Sequence, residues 1–188
     1  MERKLQKRLL VVAKNLEGSR TEIPLPLKLK SAEVILRLID QKRHKHFGLF
    51  VILGWKRKWQ DHLDISDSQQ DIFAEHRIDI ARAGSSGRRF DVAATVDFDG
   101  AILIDGRGQI LHSGVFIEGL RPRVVAQKVN PGRFQDLSEQ FGFETKVHAR
   151  HLSAITASYV FRGTTIFTVS EETDAFHIFE HGRIAHHH

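Results

Sequence analysis

One stretch constrains the fold more than any other: the apolar run over residues 92–117, broken twice by residues that strands exclude. Val92, Ala93, Ala94 and Val96 come first, then Asp97-Phe98-Asp99-Gly100 interrupts. Ile102, Leu103 and Ile104 follow, Gly106-Arg107-Gly108 interrupts again, and residues 109–117 return apolar. Runs of this length bounded by Gly and Asp read as strands. They predict a strand over 92–96, a second over 101–105 and a third over 109–117, the last two closing an antiparallel hairpin. Asp99 sits at the mouth of a core strand, where a carboxylate is costly unless something charged or hydrogen-bonded meets it. Gly100 lacks a Cβ, so backbone or ligand can approach closely. An Asp-Gly pair is also a common tight turn, and the stretch alone leaves both readings open.

The chain has 188 residues, enough for one domain with an appendage. It has no Cys, which excludes disulfides, thiolate metal sites and a Cys nucleophile. That suits a reducing compartment, and a cytoplasmic location is expected. No apolar run approaches the roughly 20 residues needed to span a bilayer. The net charge is +5, and residues 1–30, with eight Lys or Arg against three acids, carry all of it. The basic character therefore belongs to an N-terminal arm, and a globally basic nucleic-acid binder is not indicated.

Leu5, Leu9, Val12 and Leu16 recur at helical spacing among Lys and Arg, and Gly18 ends the pattern. This helix either packs on the domain, binds a partner or lies on a membrane surface. It lacks the cleavage site of a signal peptide. Pro24 and Pro26 predict an extended connector, so residues 1–27 read as arm and linker. Residues 28–185 read as one domain, and His186-His187-His188 as a tag remnant.

Within the domain, Ser31 is expected to cap a helix carrying Val34, Ile35, Leu38 and Ile39, which ends in the cationic run 42–46. Residues 47–53 predict a buried strand. Trp55 and Trp59 interleave with Lys56, Arg57 and Lys58, a pattern that suits base stacking or, as favoured here, an amphipathic edge with snorkelling cations. Ile72, Phe73, Ile78 and Ile80 are candidate buried positions. The loop Gly84-Ser85-Ser86-Gly87-Arg88-Arg89 lacks the Lys-Ser/Thr ending of a phosphate-binding P-loop. Phe134, Leu137 and Phe141 predict a short helix. Residues 149–159 predict another, with Arg150 and His151 in its first turn. Cations there oppose the helix dipole unless a phosphate joins them at the exposed N–H groups. Residues 164–169 and 175–179 read as strands around the polar turn Ser170-Glu171-Glu172-Thr173. Adjacent Glu171 and Glu172 could hold a divalent cation or simply be solvated. His148 and His151 have metal-pair spacing but no evident third ligand. No Gly-x-Ser-x-Gly elbow supports a hydrolase.

Asp99-Gly100-Ala101 after a strand, Arg150-His151 opening a helix and Val169-Ser170-Glu171-Glu172-Thr173 after a strand together resemble the diadenylate cyclase domain, the DisA N-terminal family. Gly114-Val115-Phe116 resembles the segment that closes over adenine, and residues 179–184 its last hairpin. The likeness covers residues 28–184. It implies an α/β (α+β) fold with a central mixed sheet flanked by helices. It implies a nucleotidyltransferase that condenses two ATP into cyclic di-AMP and pyrophosphate across a face-to-face homodimer, using Mg²⁺ or Mn²⁺. Carried over, Asp99, Gly100, Ala101, Arg150 and His151 are the catalytic set. Gly100, Gly114, Val115, Phe116, Arg150, His151, Ser153 and Ser170 contact the nucleotide, and Asp99, Glu171 and Glu172 the metal. The chain departs from the family where a Thr usually precedes Arg-His, here Ala149, and where its second Arg stands, here Leu152. Residues 121–147 have no counterpart in the compact family members. A nucleotide-binding relative without turnover is the alternative reading.

Overall fold

The structure is a computed structural model, and it describes residues 2–41, 46–65, 69–75, 77–83, 92–96 and 98–188. The glycine- and arginine-rich loop 84–89, most of the cationic run 42–46 and Asp97 lie outside the described residues. Helix α1 (Glu2–Leu16) leads into α2 (Leu25–Gln41), β1 (Leu49–Trp55) and a 3-10 turn (Arg57–His62). Short strands β2 (Leu63–Asp64) and β3 (Ile78–Asp79), helix α3 (Ile80–Ala83) and a second 3-10 turn (Val92–Thr95) precede the hairpin β4 (Ala101–Asp105) and β5 (Gln109–Ile117). Helices α4 (Pro122–Val129), α5 (Leu137–Phe141) and α6 (Ala149–Val160) follow. The chain ends in β6 (Thr165–Val169), β7 (Phe176–Glu180) and β8 (Arg183–His187).

The strands form one mixed sheet in the order β2-β5-β4-β1-β6-β7-β8, with β3 also on β5. Strands β1 and β4 run parallel and the other pairs antiparallel. This is an α+β architecture with a central mixed sheet, as the resemblance implies. Every residue of β1 is buried, as expected of a strand with both faces covered. Alternate residues serve opposite layers. Val51 and Leu53 join Leu5, Val12 and Leu16 of α1 and Val34, Ile35 and Leu38 of α2. Phe50 and Ile52 join Val125 of α4, Phe141 of α5 and Ala154 and Ile155 of α6. Phe73 and Ile80 are buried, while Ile72 and Ile78 pack partly exposed against the first layer.

Three local expectations give way to physical reasons. The Pro24–Pro26 segment is not an extended connector: α2 begins at Leu25, and Pro24 O accepts the Leu27 and Lys28 N–H groups. Pro26 lies in the first turn, where a missing N–H costs nothing. Ser31 therefore caps nothing; it is buried inside α2 and its hydroxyl donates to Leu27 O at 3.0 Å. The segment read as a strand over 92–96 holds a 3-10 turn, Val92–Thr95, instead. Strand β4 already has β1 and β5 as neighbours, so the segment before it has no edge to join there. Thr95 closes the turn by donating its hydroxyl to Val92 O at 2.8 Å.

Trp55 and Trp59 are buried, Trp55 edge to face with both Trp59 and Phe161 and Trp59 tilted on Phe161, and Lys56 and Lys58 lie over the Trp59 ring. This is the snorkelling edge, not a stacking platform. A buried ion pair, Lys28 to Glu180 at 2.8 Å, ties α2 to β7, and Ser19 and Thr165 donate to the same carboxylate. The three terminal histidines also belong to the fold. His186 is buried with its ring against the Asn15 amide, and His188 exchanges backbone hydrogen bonds with Phe176.

Candidate functional site

The N-terminus of α6 sits where β1, β4 and β5 bring backbone close together. His148 is the N-cap but makes no side-chain cap bond, and the first turn holds no acid. The His151 and Leu152 N–H groups donate to His148 O, which leaves the Ala149 and Arg150 N–H groups without an intrahelical acceptor or a side-chain cap from His148. The Arg150 guanidinium lies over Gly48: a Cβ there would fall 1.8 Å from Nη1. Among the described residues it pairs with one acid, Glu171, at 3.8 Å.

Across from it, Gly100 has φ +88°, and a Cβ would meet the Val115 N and O atoms at 2.7 Å. Only glycine fits, because β5 passes directly over it. Asp99, one residue earlier, projects exposed, and its N–H donates to the Gln70 side chain at 3.1 Å.

Between these parts lies an open cleft of about 260 Å³, lined by Asp99, Gly100, Val115, Phe116, Arg150 and Ser153. Phe50, Ile117 and Ala149 complete its walls. It combines a carboxylate, a cation, a helix N-terminus and a half-exposed Phe116 ring. Such a site can hold an anion at one end and a flat apolar group at the other.

The remaining candidates lie elsewhere. Ala101 is buried beneath the cleft. Gly114 makes room for Gln70, whose Cβ would be 2.4 Å from an added methyl, so it seats the segment 69–73 rather than a ligand. Ser113 and His112 hold the same segment through Gln70 O and Asp71. His151, Ser170 and Glu172 line a second cavity, of about 270 Å³, with His148 and His177. Residues 142–147 also line it. His151 is 6% exposed, its ring 4.9 Å from His177 and edge-on to Phe143 and Phe179. Burial first, then the charges of His177, Arg150 and His148, push its pKa from 6.5 down to about 4. At neutral pH it is an uncharged ring whose Nε2 meets no partner among the described residues. Glu172 pairs with His148 at 3.1 Å, both exposed.

Asp99, Glu171 and Glu172 do not gather as a metal centre. Among the described residues, no three His, Asp or Glu side chains converge as one. The single carboxylate of Asp99 fits a cation that arrives already held by phosphates, a common arrangement for Mg²⁺. Phe50 lines the cleft and Gly48 seats the Arg150 guanidinium that lines it, and no motif marks either residue. In sequence Gly48 falls inside the run 47–53 read as a strand, and nothing sets it apart.

No protein-family model matches the chain, and no curated protein matches it. Among solved structures it is similar to a crystal structure titled the hypothetical membrane spanning protein from Bacillus cereus. That similarity has a TM-score of 0.48 and 15% identity, over 81% of this chain and 59% of the other. No helix among the described residues is long and apolar enough to cross a membrane.

Proposed function

We propose that this chain binds ATP in the Asp99–Arg150 cleft and joins two ATP molecules into cyclic di-AMP across two copies set face to face. What supports the reading is the shared cleft of Asp99, Gly100, Phe116 and Arg150, drawn from segments far apart in sequence. Arg150 and the α6 N-terminus suit the phosphates, and Phe116 suits the base. In this reading Asp99, which lines the same cleft, would take the proton of a ribose 3′-hydroxyl. In each of two equivalent steps a 3′-oxygen bonds to the α-phosphorus of the other ATP, and the α–β bridging P–O bond breaks. Pyrophosphate departs, and the hydroxyl proton passes to Asp99 and on to solvent. Mg²⁺ or Mn²⁺ held at Asp99 would neutralise charge on the phosphates. The rest is alignment by Arg150, Gly100 and the partner copy.

A second reading, binding without turnover, is favoured by one observation: His151 is buried, uncharged and turned into the other cavity. One experiment separates the two. The chain is incubated with ATP and Mn²⁺ or Mg²⁺, and products are read by mass spectrometry beside Asp99→Asn. Cyclic di-AMP that disappears in Asp99→Asn supports the first reading. Bound ATP without product leaves the second, and absence of both binding and product rejects the pair.

A further inference from the structure

Helix α1 buries Leu5, Val12 and Leu16 against the sheet and leaves the opposite side open. At 100° per residue, Arg3, Lys7 and Lys14 form a ridge along that outer side. Leu10 and Val11 flank the ridge at mid-helix, 70% and 52% exposed, the highest values among the exposed large apolar residues described. Neither is explained by folding: neither joins the core, and a β-branched Val is a poor helix former on a solvent face. The charges are also free to act outward. Glu2 pairs with Arg37 and Arg8 with Asp40, while Arg3, Lys4, Lys7 and Lys14 form no ion pair among the described residues.

We propose that this outer face of α1 docks on an anionic lipid surface. Lipid satisfies both features together. The Lys and Arg heads meet the headgroup phosphates, and Leu10 and Val11 enter the acyl boundary. A second copy of the face would set Lys7 and Lys14 against their own counterparts, which like charge opposes. A nucleic-acid backbone would take the ridge but offer nothing to Leu10 and Val11. Helices α1 and α2 cover one layer of the sheet and α6 the other, so docking leaves the Asp99 cleft uncovered. The proposal stands apart from the nucleotide reading, and its test involves no turnover.

The full chain is sedimented with vesicles of phosphatidylcholine alone or with about 30% phosphatidylserine, at low and high salt. Binding is expected on anionic vesicles only, weakened by salt. The pair Lys7→Glu and Lys14→Glu should lower it at least roughly tenfold, because charge is reversed at the surface. The pair Leu10→Ser and Val11→Ser should lower it several-fold with an unchanged unfolding midpoint. Equal binding to neutral vesicles, no binding to anionic ones, or full binding by the serine pair overturns the proposal. So does a dimer, or a complex with a DNA or RNA duplex, that these substitutions dissolve while vesicles are ignored.

Discussion

Arg150 and His151 are neighbours in the chain and opposites in circumstance. Arg150 lies over a glycine, lines an open cleft with Asp99 and keeps about a quarter of its side chain in solvent. His151 is packed among Phe143, His177 and Phe179, lines a different cavity and has its charge suppressed. A helix turns 100° per residue, so adjacent positions in its first turn face different surroundings. The difference teaches that an Arg-His pair read as one phosphate-binding unit is, in this fold, two separate parts. One side is built from backbone at glycines and stays open to a ligand. The other is built from rings and closes on itself.

The largest expected effect probes the backbone side. Gly100→Ala places a methyl against the Val115 N and O atoms at a positive φ. Left-handed strain and overpacking against backbone together should cost about 3 kcal/mol of unfolding free energy, read by urea denaturation. Gly48→Ala should cost less than about 1 kcal/mol, because the nearest atoms to its methyl are the movable end of Arg150, yet it displaces that guanidinium from the cleft. Equal losses from the two alanines would mean that the cleft is not built as described.

Next in size is the contrast in ligand binding. Arg150→Ala should weaken ATP binding by about 10- to 100-fold, the loss of a charge-assisted contact, with little change in stability. Titration calorimetry with ATP and Mg²⁺ reads it, and unchanged affinity would remove Arg150 from the site.

Much of this was legible in the chain, and what was not has a physical cause. The β4–β5 hairpin announced itself through Gly106-Arg107-Gly108, and α6 through its apolar spacing, because both are local patterns. Asp99 and Gly100 were legible because they interrupt an apolar run. The Arg150 cradle was not, since Gly48 lies a hundred residues away and matters only once β1 meets α6. The burial of His151 was likewise hidden. It depends on residues 142–147 and on β7, and nothing local distinguishes a phosphate-facing histidine from one enclosed by rings. Nor did Lys28 look like a core residue, because its partner Glu180 is supplied by the far end of the chain.

The closed side should be visible in the pH dependence of stability. An unfolded His151 takes up a proton near pH 6.5, and the folded one only near 4. Between those values the unfolded chain binds more protons, so stability is full above pH 6.5 and falls as the pH drops toward 4. His177 and His186 are pushed down by burial as well and act in the same direction. The share from His151 should be about 3 kcal/mol, read from urea midpoints across this range. A flat profile would mean that the rings open to water.

The smallest expected effect is the most discriminating. At pH 7 His151 is uncharged, with a buried Nε2 that meets no partner among the described residues, so His151→Phe removes that polar atom and adds a little volume among rings. The two changes oppose each other, and stability should move by less than about 1 kcal/mol. The loss of stability toward pH 4 should shrink, because one proton-binding group has gone from the unfolded chain. ATP affinity should stay within about twofold, since no charged contact is removed. Were His151→Phe to weaken ATP binding as much as Arg150→Ala does, the two cavities would be one site, joined when nucleotide enters. The contrast between the neighbours would then belong to the empty protein alone.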